Sequence, residues 1–357
     1  MRKLWRDALD RIAPYDAGRP LDRLAAELGL TEIVRLSANE NVLGPSSRVV
    51  QAIAEDARNV HLYPDGGAVA LREALGRHLR IAPEQILLGN GADELLAMIA
   101  WATFDRGDEV IVPHPSFEPY TTVVTLMDAV QVASPLAGYD TDMDDVGRRL
   151  TPRTKAVVLC SPHNPASTII RKAPLLAFLD RLGADGPLVV LDEAYRDFSD
   201  DPDLPDGVAL LARYPRLVVL RTFSKIAGLA GLRVGYAVAG AESIDRFNRV
   251  RAPYNVNRLG QVAALAALED HAHTEKTVRL VLEERAYLGA ELTKRGYAFP
   301  LSHANFLLVA VPDAAGLRTR LMREGILVRD GAGVGFPGHL RFSVGLRETN
   351  EKLLSLL

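Results

Sequence analysis

Short aliphatic runs recur through the first two-thirds of this chain, and each stops abruptly at polar residues. Leu188–Leu191 and Leu217–Leu220 are the clearest, and Val110–Val112 and Ala156–Cys160 have the same texture. An unbroken β-branched run without polar alternation is the pattern of a strand buried on both faces. Helical periodicity lies between the runs. Residues 46 to 58 read as a helix, and residues 68 to 79 carry Leu71, Leu75 and Leu79 at i, i+4 and i+8. Strands alternating with helices from about 46 to 250 predict an α/β fold, a mostly parallel sheet with helices on both faces.

Weaker signals fill in the rest. Leu4–Ile12 and Leu21–Leu28 read as short helices, the second ended by Gly29. Ile33–Leu36, Ile86–Leu88, Val130–Val132 and Leu232–Ala239 read as further strands, and Leu95–Trp101 as an apolar helix. From Asn257 to about Arg295 the pattern is helical, with a break near His271–His273. The texture then changes. Strands at Asn305–Val309, Gly325–Asp330 and His339–Gly345 alternate with helices at 314 to 324 and Thr349–Leu357, which suits a smaller α+β unit. The expected division is an N-terminal arm (1–45) joining the small domain, a large domain (46–255) and a small C-terminal domain (256–357). A length of 357 residues accommodates both.

Composition removes several function classes. A net charge of -3 gives no broad positive field for nucleic acid or an anionic membrane. Cys160 is the only cysteine, so neither an intrachain disulfide nor a thiolate metal cluster can form. No apolar signal region follows Met1–Asp7, and no run of about 18 apolar residues exists. A cytoplasmic location is expected.

The chemistry sits where the strands end. In open α/β sheets, ligands bind beyond the carboxyl ends of the strands. Successive strands here end in Gly89-Asn90-Gly91, Phe117, Asn164, Asp192 with Tyr195, and Ser224-Lys225. Each has a plain structural reading when taken alone. Lys225 could be a solvated lysine, Gly89-Asn90-Gly91 a tight turn, Phe117 core packing, and Asn164 a turn cap. Glu94 stands where a dinucleotide fingerprint needs glycine, so G-x-G-x-x-G is unmet. Asp192-Glu193 could hold Mg²⁺, but no G-x-x-x-x-G-K-[ST] loop accompanies it. Taken together, the residues supply an anion cradle, a flat apolar face, an amide, a buried acid, a phenol and an amine on one sheet edge. A lysine held partly out of water is available as a nucleophile for a Schiff base. This set matches the needs of pyridoxal 5'-phosphate, a cofactor with a phosphate, an aldehyde and a basic ring nitrogen. Arg341, in an apolar strand, calls for an anion or a protein carboxylate.

These motifs resemble those of the fold-type I pyridoxal-phosphate aminotransferases, and among them the histidinol-phosphate aminotransferases, over nearly the whole chain. The likeness rests on Pro14-Tyr15, Gly18-Arg19-Pro20, Ala38-Asn39-Glu40-Asn41, Leu43-Gly44-Pro45 and Tyr63-Pro64-Asp65. It continues through Gly91-Ala92-Asp93-Glu94, Asp192-Glu193-Ala194-Tyr195, Thr222-Phe223-Ser224-Lys225, Gly228–Arg233, Val328-Arg329-Asp330 and Leu340-Arg341. The resemblance implies that Lys225 bonds the cofactor and shuttles a proton. Asp192 would pair with the ring nitrogen, Tyr195 and Asn164 would hydrogen-bond the phenolic oxygen, and Phe117 would stack on the ring. Ala92 and Asp93 amides, Ser224 and Arg233 would hold the phosphate. Tyr63 would reach the cofactor of a neighbouring subunit, which implies a homodimer with shared sites. Tyr15, Arg329 and Arg341 would bind substrate.

The implied reaction is a ping-pong exchange of the amino group of L-histidinol phosphate with 2-oxoglutarate, in histidine biosynthesis. Transamination of aromatic amino acids, decarboxylation of an amino-acid phosphate and a non-catalytic binding module are the alternatives. Two departures from the family pattern stand out. Asn164-Pro165-Ala166-Ser167 replaces Asn-Pro-Thr-Gly, and Asn41-Val42-Leu43-Gly44 replaces Asn-Pro-Leu-Gly.

Overall fold

The computed structural model describes residues 4–14 and 19–357. Its strands are β1 (Val34–Arg35), β2 (Ile86–Asn90), β3 (Glu109–His114), β4 (Val130–Pro135), β5 (Thr154–Cys160) and β6 (Leu188–Asp192). They continue as β7 (Leu217–Thr222), β8 (Val234–Val238), β9 (Phe306–Ala310), β10 (Ile326–Leu327), β11 (Arg329–Asp330) and β12 (His339–Ser343).

Seven of them form one sheet in the order β2-β8-β7-β6-β5-β3-β4. Every pairing from β7 to β4 is parallel, and β8 alone runs against its neighbours β2 and β7. The α/β class, the mostly parallel sheet and the helical cover are as the alternation predicts. Side chains alternate across each strand. Leu217 and Val219 therefore enter the core on one face, and Val218 and Leu220 the core on the other. The first core includes Leu71, Leu75, Phe178 and Leu179 from helices Val69–Leu79 and Lys172–Leu182. The second includes Leu95, Met98 and Ile99 from helix Ala92–Thr103, and Tyr120 and Val124 from helix Glu118–Leu126.

Beyond residue 300 a three-stranded antiparallel sheet, β11-β12-β9, is covered by helices His271–Lys294, Ala314–Arg323 and Arg347–Leu356. Their shared core includes Leu288, Phe306, Leu321, Phe342 and Leu353. The segment near the N-terminus joins this unit. Strand β1 pairs with β10, Leu36 enters the same core, and Leu24, Ala25 and Ile33 pack with Met322 and Leu327.

Three local expectations are corrected and one is met. Gly325–Asp330 is not one strand, because the chain changes partners at buried Val328: β10 pairs with β1, and β11 with β12. The helical stretch after Asn257 breaks at Glu269–Asp270, beside the expected His271, because the Asp270 side chain caps the next helix by accepting from the His273 amide (3.2 Å). Helix Arg258–Leu268 packs Ala263, Ala264 and Ala266 into the core of the large sheet, so an apolar alanine face rather than chain order decides its place. Leu4–Ile12 holds a short 3₁₀ helix, Asp7–Arg11.

Candidate active site

The carboxyl ends of the parallel strands converge along one edge of the large sheet. β6 ends at Asp192 beside Cys160 of β5, which is its Cα partner. β7 ends at Thr222, paired with Gly235 of the antiparallel β8, so Arg233 enters the same edge. Thr222 ties the turn after β7. Its hydroxyl accepts from the Ser224 amide (3.1 Å) and donates to the Val234 carbonyl (3.3 Å). Gly228 turns the chain with φ 69°, and a Cβ there would lie 2.6 Å from the Gly44 carbonyl oxygen. Only glycine permits that approach.

Lys225 projects from this turn. Its Nζ donates to the Ala38 carbonyl (3.1 Å) and lies 5.8 Å from the centre of the Tyr195 ring. Burial, then the neighbouring Arg341 guanidinium, bring its ammonium down to about 8 from an ordinary 10.5. A neutral amine is therefore populated near physiological pH. Some surface of the residue stays open to solvent, so an incoming carbonyl can reach it.

Asp192 is 4% exposed. The Tyr120 hydroxyl donates to its Oδ2 (2.7 Å) and the Ala194 amide to its Oδ1 (2.9 Å). Burial outweighs both donors and raises the carboxyl to about 6. No cationic side chain pairs with it among the described residues. A buried carboxylate without a cation is an expensive arrangement unless one arrives with a ligand.

Tyr195 is buried, and its ring meets Phe306 edge-on (5.1 Å). Its hydroxyl accepts from Asn39 Nδ2 (3.1 Å), leaving its own hydrogen to donate elsewhere, and burial pushes its ionisation to about 12. Asn164 Oδ1 accepts from Arg341 Nη1 (2.6 Å), and Arg341 Nη2 donates to the Ser37 carbonyl (2.8 Å). Two hydrogen bonds of this buried arginine thus go to neutral oxygens, while its guanidinium lies over the Phe306 ring (5.2 Å).

An anion cradle stands at the end of β2. Gly91, with φ 79°, leads into helix Ala92–Thr103, whose first amides have no partner within the helix. A Cβ on Gly91 would collide with the Arg233 guanidinium. Arg233 Nη2 also donates to Asp93 Oδ2 (2.9 Å). Ser224 is buried at the same edge. The donor set suits a phosphate, and the unpaired Asp192 suits a protonated ring nitrogen. Both fit pyridoxal 5'-phosphate.

The aminotransferase class I and II family profile matches residues 31–357. This chain belongs to that family. The aminotransferase is 42% identical over 349 residues to a histidinol-phosphate aminotransferase of Anaeromyxobacter sp., covering 97% of this chain and 96% of the relative. It is 37% identical to one from Caldicellulosiruptor saccharolyticus, covering 99% of each. Among solved structures it resembles the histidinol-phosphate aminotransferase of Sinorhizobium meliloti in complex with pyridoxal-5'-phosphate. The TM-score is 0.89 at 27% identity, covering 99% of this chain and 96% of that one.

The geometry brings Lys225, Asp192, Tyr195, Asn164, Ser224, Arg233, Ala92, Asp93 and Arg341 to the sheet edge. Phe117 follows β3 and meets Tyr120 edge-on, with ring centres 5.5 Å apart. Arg329 is the Cα partner of Arg341, is half-buried, and forms no side-chain hydrogen bond or ion pair with another described residue. Tyr63 stands apart. It is 79% exposed and stacks on Tyr254 (4.6 Å). Tyr15 lies outside the described residues.

No sequence signal assigns a role to Tyr120 or Asn39. Tyr120 reaches Asp192 from 72 positions away, and Asn39 reaches Tyr195 from 156. A tyrosine just after Pro119, at the start of a helix with Val123 and Val124, was the available hint for the first. Glu193, which the sequence offers only beside Asp192 as a Mg²⁺ ligand, has a structural place. It takes Arg221 Nε (2.8 Å) and the Gly207 amide (2.8 Å), so a buried ion pair anchors the chain immediately after Asp192.

Proposed function

We propose that this aminotransferase uses pyridoxal 5'-phosphate to exchange the amino group of L-histidinol phosphate with 2-oxoglutarate, in histidine biosynthesis. The single observation that carries the chemistry is a buried acid without a cation, Asp192, on the same sheet edge as an amine brought down to about 8, Lys225. The substrate rests on the names of relatives at 36–42% identity over nearly full length, which do not favour the aromatic or decarboxylase alternatives.

When bound, the cofactor supplies an electron sink for the carbon bearing the amine. The protein's part is positional and protonic. Lys225 Nζ, available as the neutral amine, would hold the cofactor through its aldehyde carbon with loss of water and would move a proton between carbons. Asp192 holds the proton on the ring nitrogen by charge. Tyr195 and Asn164 donate to the phenolic oxygen. Phe117 covers one ring face. Ser224, Arg233 and the amides of Ala92 and Asp93 hold the phosphate. Arg341 grips a carboxylate by its fork in one half-reaction, and with Arg329 meets a phosphate in the other. The resemblance alone assigns Tyr15 to substrate binding.

Tyr63 points outward because its target belongs to a second copy. The active unit is a homodimer with shared sites. The chain divides into an N-terminal arm joining the small domain, a large domain and a small C-terminal domain, with helix Arg258–Leu268 packed on the large one. The assigned location is the cytoplasm, in keeping with a biosynthetic role.

The test is a substrate panel on the purified, cofactor-loaded protein. Glutamate should form from 2-oxoglutarate with L-histidinol phosphate. Glutamate from phenylalanine or tyrosine, with none from histidinol phosphate, would contradict the substrate assignment.

A further inference from the structure

We infer that Tyr120 is a positioning residue for the cofactor's ring nitrogen, acting through Asp192 by the hydrogen bond from its buried phenol. The inference rests on the proposed use of pyridoxal phosphate. It adds a residue outside every motif the sequence offered.

Geometry carries it. Tyr120 is 1% exposed, and its hydroxyl has 2.7 Å to Asp192 Oδ2. A buried phenol with no acceptor is costly, so its one hydrogen is committed to the carboxylate. The carboxylate's other donor is a main-chain amide, Ala194, which mutation cannot remove. Cys160 lies alongside as the Cα partner of Asp192, but its thiol donates to the Pro162 carbonyl (3.2 Å). Tyr120 is therefore the side-chain donor to Asp192 among the described residues.

The bond does two things. A hydrogen bond to the ionised form favours ionisation, opposing the burial that pushes Asp192 up. It also fixes which lone pairs remain directed at the site. The same ring meets Phe117 at 82°, so one side chain links the ring-covering aromatic to the ring-nitrogen acid. Tyr120→Phe removes the hydroxyl and keeps that aromatic contact.

The experiment compares cofactor dissociation constants of the wild type and Tyr120→Phe. Two probes are used: pyridoxal phosphate and its analogue with carbon in place of the ring nitrogen. Tyr120→Phe should weaken pyridoxal phosphate about tenfold or more, the scale of a hydrogen bond to a charged group. It should leave the carbon analogue nearly unchanged. The affinity for pyridoxal phosphate should also fail at a higher pH on acidification, because Asp192 then protonates more readily. In an Asp192→Asn background the Tyr120 effect should vanish. Equal weakening of both probes, or the same effect in the Asp192→Asn background, would overturn the inference by showing a merely structural residue. A wild type that binds no pyridoxal phosphate would instead overturn the functional reading beneath it.

Discussion

Asn39 donates from Nδ2 to the Tyr195 hydroxyl across 3.1 Å, tying the loop after β1 to the end of β6. The same residue's amide donates to Ser343 Oγ (3.0 Å), and its carbonyl accepts from Asn305 Nδ2 (3.1 Å). Its neighbours continue the pattern. The Ser37 carbonyl takes Arg341, and the Ala38 carbonyl takes Lys225. Residues 37 to 39 therefore strap the smaller unit to the amine and the phenol of the site.

Asn39 holds this position with φ 55°, a left-handed backbone that asparagine tolerates better than most residues. Asn39→Gly loses the amide but keeps the backbone, whereas Asn39→Ala loses both. Both should destabilise, with alanine worse by ~1 kcal/mol, the scale of the left-handed penalty. Chemical denaturation measures the difference. Equal losses would mean that the backbone conformation carries none of the effect.

Lys225 should weaken the cofactor-free fold. Its folded value of about 8 lies below the ordinary 10.5, so the unfolded chain binds more protons between those values. Stability contributed by this residue rises with pH through that window, and its full penalty applies below about 8. Lys225→Met should therefore stabilise the cofactor-free protein at pH 7 by up to ~3 kcal/mol, with the gain shrinking as pH approaches 10.5. Activity should be lost. Denaturant midpoints measured from pH 6 to 10 check the sign.

Ser167 adopts φ 64°, a left-handed backbone that serine rarely takes. Its hydroxyl donates to the Ala166 carbonyl (2.6 Å), a local bond that does not reach the site. Ser167→Gly should raise stability by up to ~1 kcal/mol through relief of the left-handed backbone, less glycine's entropy in the unfolded chain. A thermal melt reads it, and a lower midpoint would contradict the strain argument.

The fold was legible because buried parallel strands leave a local mark. Leu188–Leu191 and Leu217–Leu220 carry nothing polar, and their ends locate Asp192 and Lys225 without any knowledge of topology. Gly91 was legible as part of a turn, though the close approach that requires it was not. Contacts between distant segments left no such trace. Tyr120 looks like any helix residue until β6 is placed beside its helix. Asn39 sits in a polar loop whose partners come from residues 195, 305 and 343. The split of Gly325–Asp330 was hidden for the same reason, since two strands of two residues each have too little pattern to separate.

Which amine bonds the cofactor decides the chemistry of the site. Borohydride reduction of the loaded protein fixes pyridoxal phosphate to that amine, and peptide mass spectrometry then locates it. The prediction is a single modified residue, Lys225. Modification at another lysine, or no retained cofactor, would contradict the account.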